Sequence, residues 1–519
     1  MTAQPAASAP APHPDPAVHA RRWVILAILS GSLLLIGMDT TILNVAFPSL
    51  VEDLQPGSVE QLWIIDAYAL AISGLLVTAG AFGDRWGRKR LLLAGFALFA
   101  LASLAAVFAT AAWQVIAARA LLGVGGAAIM PSTLSILRDT FVDARERAFA
   151  YAVWTAVIGG GLALGPVVGG LLVEHFGWQS AFLLNIPVAI VVIGLGLWLL
   201  PESRSPRTGK WDWPGVGQSI VGMVALAGGI KQLGKSGLDS ALPWVLLAVA
   251  AVALTVFVRR QLRLANPLLE VRLFSNPAFA VSAGAIFLGM VGLGAVMFLL
   301  TQWFQYAKGY SPLQAGVRLL PAPIALIVTS VVTPRLMQRF QVRKVMAVGL
   351  LVMAIGLAVP YAVQRSPLFG DTDLNYPTMA TSLALLGLGA GVATTVASVT
   401  LMSVTPKDHV GGAAAIDETC YELGAAMGVA ILGSVTAALY RSRLPDGLPG
   451  HARDSVGEAA HAAKEMGGPA GHELLAAAGH AFTRGMTPAF VAAAVLCVAA
   501  AWLTWARIPA DVRPTDNAH

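Results

Sequence analysis

The sequence predicts an all-α integral membrane protein of about fourteen transmembrane helices. Of its 519 residues, 56% are hydrophobic and only 12% are charged. Soluble domains carry about 25% charged residues, so too few charges remain here to cover a water-facing surface. The apolar residues come in blocks of roughly 20 to 27, the length that crosses about 30 Å of hydrocarbon as a helix. The short alternating segments of a transmembrane barrel are not seen.

The spans are expected, within a few residues, at 23–48, 61–82, 91–109, 113–137, 148–173, 179–200, 213–232, 242–259, 278–305, 312–335, 345–363, 377–404, 411–440 and 485–506. The first block, Trp23 to Phe47, is too long for a signal-peptide core and contains Asp39. The Ala- and Pro-rich stretch before it reads as a disordered tail. Lys and Arg set the orientation. With the N-terminus inside, the inner segments hold clusters such as Arg85, Arg88, Lys89 and Arg90, or Arg335, Arg339, Arg343 and Lys344. The short outer loops hold only Lys231, Lys235, Lys308 and Arg365. Both termini are therefore expected in the cytoplasm, with the chain in a bacterial inner membrane. The net charge of +6 follows from this topology and implies no nucleic-acid partner.

The segment 441–484 breaks the short-loop pattern. It is polar and rich in Ala, Gly and His, and it is expected to be a solvated outer loop. Its histidines, 451, 461, 472 and 480, fit no common metal-ligand spacing, and no metal or cofactor is expected. The two cysteines, Cys420 and Cys497, lie in apolar blocks and read as packing residues. A weak repeat relates the basic segments 80–90 and 333–344. It suggests a tail at 1–22, a six-helix half at 23–200, an inserted helix pair with linkers at 201–272, a second half at 273–506 and a tail at 507–519. Repeated halves are the building plan of secondary transporters.

Four motifs stand out. Gly80-x-Phe82-x-Asp84-Arg85-x-Gly87-Arg88-Lys89 joins spans two and three, with glycines for a tight turn. Arg119 begins Arg-Ala-Leu-Leu-Gly-Val-Gly-Gly inside span four, where a charge needs a partner or a wet cavity. Gly161-x-x-x-Gly165-Pro166-x-x-Gly169-Gly170 in span five combines close helix approach with a proline bend. Asp39-x-Thr41-x-x-Asn44-Val45-Ala46-x-Pro48 occupies span one. Together these resemble the major facilitator superfamily, specifically its fourteen-helix drug:proton antiporters, over about residues 23–506. The resemblance implies a major facilitator fold of two six-helix halves plus an inserted pair, and a monomer. It also implies that Asp84 meets the helix start near Gly411 and latches one state, that Arg119 serves proton coupling, and that the Gly-Pro motif marks an exporter.

The acids within the spans are Asp39, Asp66, Asp417, Glu418 and Glu422. Glu418 and Glu422 are i and i+4 and share a face; Asp417 lies about 100° round the helix from Glu418. Pairing with Arg119 and Arg318 alone would leave three acids over. A buried carboxyl is neutral in hydrocarbon and charged when water or a cation reaches it, so it binds a proton or a cationic solute but not both well. Proton coupling is accordingly expected at Asp39, Asp66, Arg119 and Glu418. Substrate contacts are expected at Asp66, Asp417, Glu418 and Glu422, with Tyr421 and Trp63 beside them for stacking on a flat cation. The acid pattern is similar to that of the quaternary-ammonium and dye exporters. Leu326 stands where one of those has a tenth-span acid, so a preference for divalent cations is not implied.

The resulting expectation is a proton-coupled antiporter exporting small lipophilic cations. The alternatives are export of a neutral or anionic natural product, import, or a membrane sensor or enzyme. Nothing resembling a nucleotide-binding loop, a zinc-protease helix or a nucleophile elbow occurs in the chain, so no enzyme is expected.

Overall fold

The computed structural model describes residues 16–204, 212–237, 239–264, 267–365, 374–406, 410–445 and 450–509. Every regular element among them is helical: α1 Pro16–Leu54, α2 Ser58–Trp86, α3 Arg88–Val107, α4 Ala112–Thr140, α5 Ala144–Phe176, α6 Ser180–Leu183, α7 Asn185–Leu199, α8 Trp213–Ser236, α9 Ala241–Arg263, α10 Pro277–Gln302, α11 Pro312–Leu319, α12 Pro321–Arg339, α13 Val342–Arg365, α14 Tyr376–Ser403, α15 Val410–Arg441, α16 Val456–Met466 and α17 Gly468–Arg507. Taken with α6–α7 and α11–α12 as single crossings, fourteen helices are long and apolar enough to span a membrane. Within hydrocarbon only a helix satisfies its own backbone polar groups, so this is the form such a sequence must take.

The glycines of the span-five motif set the seam between α1 and α5. A side-chain carbon on Gly161 would lie 2.7 Å from the Leu34 carbonyl oxygen, and one on Gly165 would lie 2.8 Å from that of Met38. Gly169 faces Ile42 in the same row. Gly170 faces the other way, onto α11, where a carbon would come within 2.6 Å of Leu313 Cα. One stripe thus docks α5 on α1 and then on the second half of the chain. At Gly87 the backbone needs glycine for another reason: φ is +118°, at the abrupt turn from α2 to α3. Arg88, the next residue, pairs with Asp139 of α4 at 2.6 Å and bonds to Ser203, which ties the basic loop to neighbouring chain ends. The Asp84 side chain lies outside the described residues, and with it the expected contact to the helix start near Gly411.

The pair α8–α9 packs together, and α8 also lies against α2 and α15. α9 forms the periphery: little of it is buried, and Trp244, Val249 and Val252 point outward.

Two expectations change. The segment 441–484 is mostly helical where described. Ser455 caps α16 through the Glu458 amide, and Val456, Ala459 and Ala462 are buried. α17 starts at Gly468, well before the expected 485. Alanines give this stretch its helix propensity, and it packs on protein rather than lipid, so its low hydropathy disguised it. The helix α1 likewise begins at Pro16, inside the expected tail.

The contacts that join the two halves gather at the end of the bundle carrying α16. Glu174 accepts from Ser311 Oγ at 2.7 Å and from the Leu313 amide. A π-helical turn, Trp303–Ala307, directs Gln305 and Tyr306 onto the carbonyls of Val45 and Pro48, at the proline bend of α1. Lys464 on α16 pairs with Glu52.

The seam predicts a sharp contrast between neighbouring positions. Gly165→Val should cost at least the roughly 1–3 kcal/mol typical of overpacking, visible as a lower melting temperature and yield of detergent-purified protein. Gly160→Ala, where nothing lies within 4 Å of the added carbon, should behave like the parent.

Candidate functional site

The interior of the bundle contains a cavity of about 1350 Å³, part of it open to solvent. Its wall is largely apolar, from residues such as Ile36, Leu43, Met290, Met297, Leu319 and Val429. The lining also includes Arg119, Glu418, Tyr421 and Glu422, and Asp66, whose carboxylate is buried. Such a surface suits a lipophilic solute with a charge to be matched.

Asp39 stands behind the wall. It accepts from Arg119 Nη1 at 2.8 Å and from Asn185 Nδ2 at 2.8 Å, and Asn185 also donates to Ser103 Oγ. Asp39 and Arg119 side chains are 1% and 3% exposed, so this is an ion pair shielded from water. Arg119 lies over the Tyr68 ring, 4.4 Å from its centroid, and Nε donates to the Ile64 carbonyl. Arg119 therefore presents one edge to the cavity and the other to Asp39.

Asp66 has a partner the sequence did not disclose. Lys231 Nζ lies 2.9 Å from Asp66 Oδ2, with both side chains fully buried. The lysine was expected in an outer loop; it sits inside α8, about one and a half turns before the helix ends at Ser236. Charges near the end of an apolar block read as interfacial, and only the tertiary contact shows otherwise. Lys231 also covers Trp63 at 3.8 Å from the ring centroid. Trp63 thus faces α8 rather than the cavity, which corrects its expected place on the wall.

The acids of α15 divide by helical phase. Glu418, Tyr421 and Glu422 face the cavity together. Asp417 is turned to α14 and accepts from Ser398 Oγ at 2.8 Å, so it too leaves the expected wall set. None of the three acids has a cation within 4.0 Å among the described residues. Arg318, considered as their partner, instead stacks over Tyr310 and Tyr376 and donates to the Gln314 carbonyl. Leu326 does line the cavity, apolar where an acid would add a further negative charge.

Comparison with known proteins bears on this arrangement. The sequence model described as Major Facilitator Superfamily matches residues 29–334 and 282–445. The chain is 40% identical to the multidrug efflux pump LfrA of Mycolicibacterium smegmatis, over 93% of this chain and 95% of that one. It is 35% identical to the methyl viologen resistance protein SmvA of Salmonella typhimurium, over 89% and 93%. It is 33% identical to the puromycin resistance protein pur8 of Streptomyces alboniger, over 86% and 87%. Among solved structures it resembles a bacterial homologue of the human lysosomal transporter Spinster, with a TM-score of 0.66 at 17% identity over 95% and 98% of the two chains.

The shielded pair yields a stability prediction. Asp39→Asn leaves the Arg119 guanidinium without its anion, which should cost about 3–5 kcal/mol and depress the melting temperature of purified protein. Asp39→Asn combined with Arg119→Gln should recover part of the loss; equal stability of the single variant and the parent would show that the pair does not hold the half together.

Proposed function

The chain belongs to the major facilitator superfamily, and from that premise we propose that it is a proton-coupled antiporter exporting lipophilic, cationic drugs by alternating access. It is a multi-pass membrane transporter rather than an enzyme. The observation that carries the finer reading is the pair Glu418 and Glu422, two carboxyls on one cavity wall with no cation within 4.0 Å among the described residues, Arg119 across the cavity being held by Asp39. Unmatched acids inside a bundle are costly. They are tolerable if each holds a proton in one stage of the cycle and a cation in another, which is competition and hence antiport.

The relatives support this direction. Multidrug efflux is in the name of one, and another confers resistance to methyl viologen, an aromatic cation. Following the distribution of Lys and Arg, both termini face the cytoplasm of a bacterial inner membrane. The contacts at the α16 end then close the external side, and the cavity serves the cytoplasm. Protons arriving from outside reach Asp66 or the α15 acids in the opposite state, with Arg119 and Asp39 as the adjoining charge pair. Glu418, Glu422, Tyr421 and Asp66 take the substrate. The membrane potential contributes about 2.3 kcal/mol per net charge per 100 mV, so protons entering in excess of charge leaving make export favourable. A second reading, export of a neutral or anionic natural product, is favoured by the largely apolar cavity wall.

Everted vesicles decide between them. An acid interior should drive accumulation of ethidium, and Glu418→Gln with Glu422→Gln should lower it about tenfold, the effect of losing about 1.4 kcal/mol of cation binding. Vesicles that accumulate an uncharged antibiotic but no ethidium-like cation would overturn the cationic reading.

A further inference from the structure

Lys231 enters the centre from α8, a helix outside the two sets of six. Its ammonium meets three groups of α2 within little more than one turn: the Asp66 carboxylate at 2.9 Å, the Trp63 ring at 3.8 Å from the centroid, and the Leu62 carbonyl oxygen at 3.3 Å. A carboxylate, an aromatic face and a carbonyl are the groups that recognise an organic ammonium ion. Neither Asp66 oxygen finds an aligned hydrogen bond among the described residues, so the attraction is one of charge.

A structural tie between α8 and α2 does not require such a pair. Desolvating two ions costs several kcal/mol each, and apolar packing of similar volume often serves better. Gly228 already brings α8 close to Trp63 without any charge. Asp66 also belongs to the cavity lining, although both of its carboxylate oxygens are buried. The carboxylate therefore lies just behind the cavity surface, covered by a tethered cation.

We propose that Leu62, Trp63 and Asp66 form an ammonium subsite buried just behind the cavity wall, and that Lys231 is its built-in occupant, which an entering organic cation must displace. The inference rests on the cation-export reading and adds a competitor to it. The subsite holds one positive charge at a time. A tethered ammonium competes at an effective concentration of millimolar or more, so weak cations are refused and bound cations are released when the lysine returns. Lys231 thereby sets the selectivity and residence time of substrate, although it need not touch it.

The test is equilibrium binding of ethidium to full-length purified protein at pH 8. Lys231→Met should bind ethidium about tenfold more tightly than the parent, and Asp66→Asn with Lys231→Met should lose that gain. Lys231→Arg keeps the charge and stacks better on Trp63, and it should bind ethidium several-fold more weakly. This second variant also serves if the methionine protein fails to fold. Parental affinity in Lys231→Arg, or a gain in Lys231→Met that survives the loss of Asp66, would overturn the displacement model. If the parent itself binds no ethidium, the cation-export reading fails instead.

Discussion

Four helices of the first half meet at one carboxylate. Asp39 comes from α1, Arg119 from α4, Asn185 from α7, and Ser103 of α3 completes the chain through Asn185. In an apolar interior such a network is all or nothing: fully satisfied it fixes the packing, and with one member missing it leaves a buried charge unmatched. The rest of the arrangement depends on it. Arg119 is held so that its outer edge reaches the cavity, and the Tyr68 ring beneath it places α2, which carries Asp66, at a set distance from α4.

The close helix approaches work toward the same end. The Gly161, Gly165 and Gly169 row seats α5 against the segment of α1 that holds Asp39, leaving no room for a side chain between them. Gly170 and Gly316 carry the same economy across to α11, where an added carbon on Gly316 would collide with the Pro166 carbonyl. Since packed cores have discrete arrangements rather than graded ones, a joint made of backbone on backbone can open or close as a unit. α5 therefore belongs both to the rigid first half and to the contact that joins the halves.

Much of this was legible in the sequence because hydrocarbon leaves few choices. Fourteen apolar blocks had to become helices, and a charge at 119 had to find an anion; Asp39 proved to be it. Helical phase puts Asp417 about 100° from Glu418, yet it was expected with Glu418 and Glu422 among the substrate contacts; the structure turns it to Ser398 instead. What the sequence hid has physical reasons too. Lys231 lies close enough to the end of its helix to pass for an interfacial residue, and nothing local signals that α8 tilts it onto Asp66. Trp63 and Asp66, three residues apart, share a face, but which neighbour that face meets is set by tertiary packing. The segment around α16 is helical because it packs on protein, a context that hydropathy does not record. The repeat of basic loops carried no information about the charges between them.

The distribution of charge gives the two halves different characters. Among the described residues, three cations lie along the inner parts of the spans. Arg119 and Lys231 are each matched to an acid of the first half, and Arg318 is absorbed by two tyrosine rings. Among the described residues the negative excess within the spans thus lies on α15, where Glu418 and Glu422 face the cavity and Asp417 accepts from the Ser398 hydroxyl. A cation in the cavity would therefore meet a neutral, preorganised wall on one side and an unmatched acidic wall on the other. α8 touches both α2 and α15, so the helix that neutralises Asp66 is also packed on the helix that remains unneutralised. Any motion that shifts one half against the other must alter the seat of Lys231, which couples the charge state of the cavity to its shape.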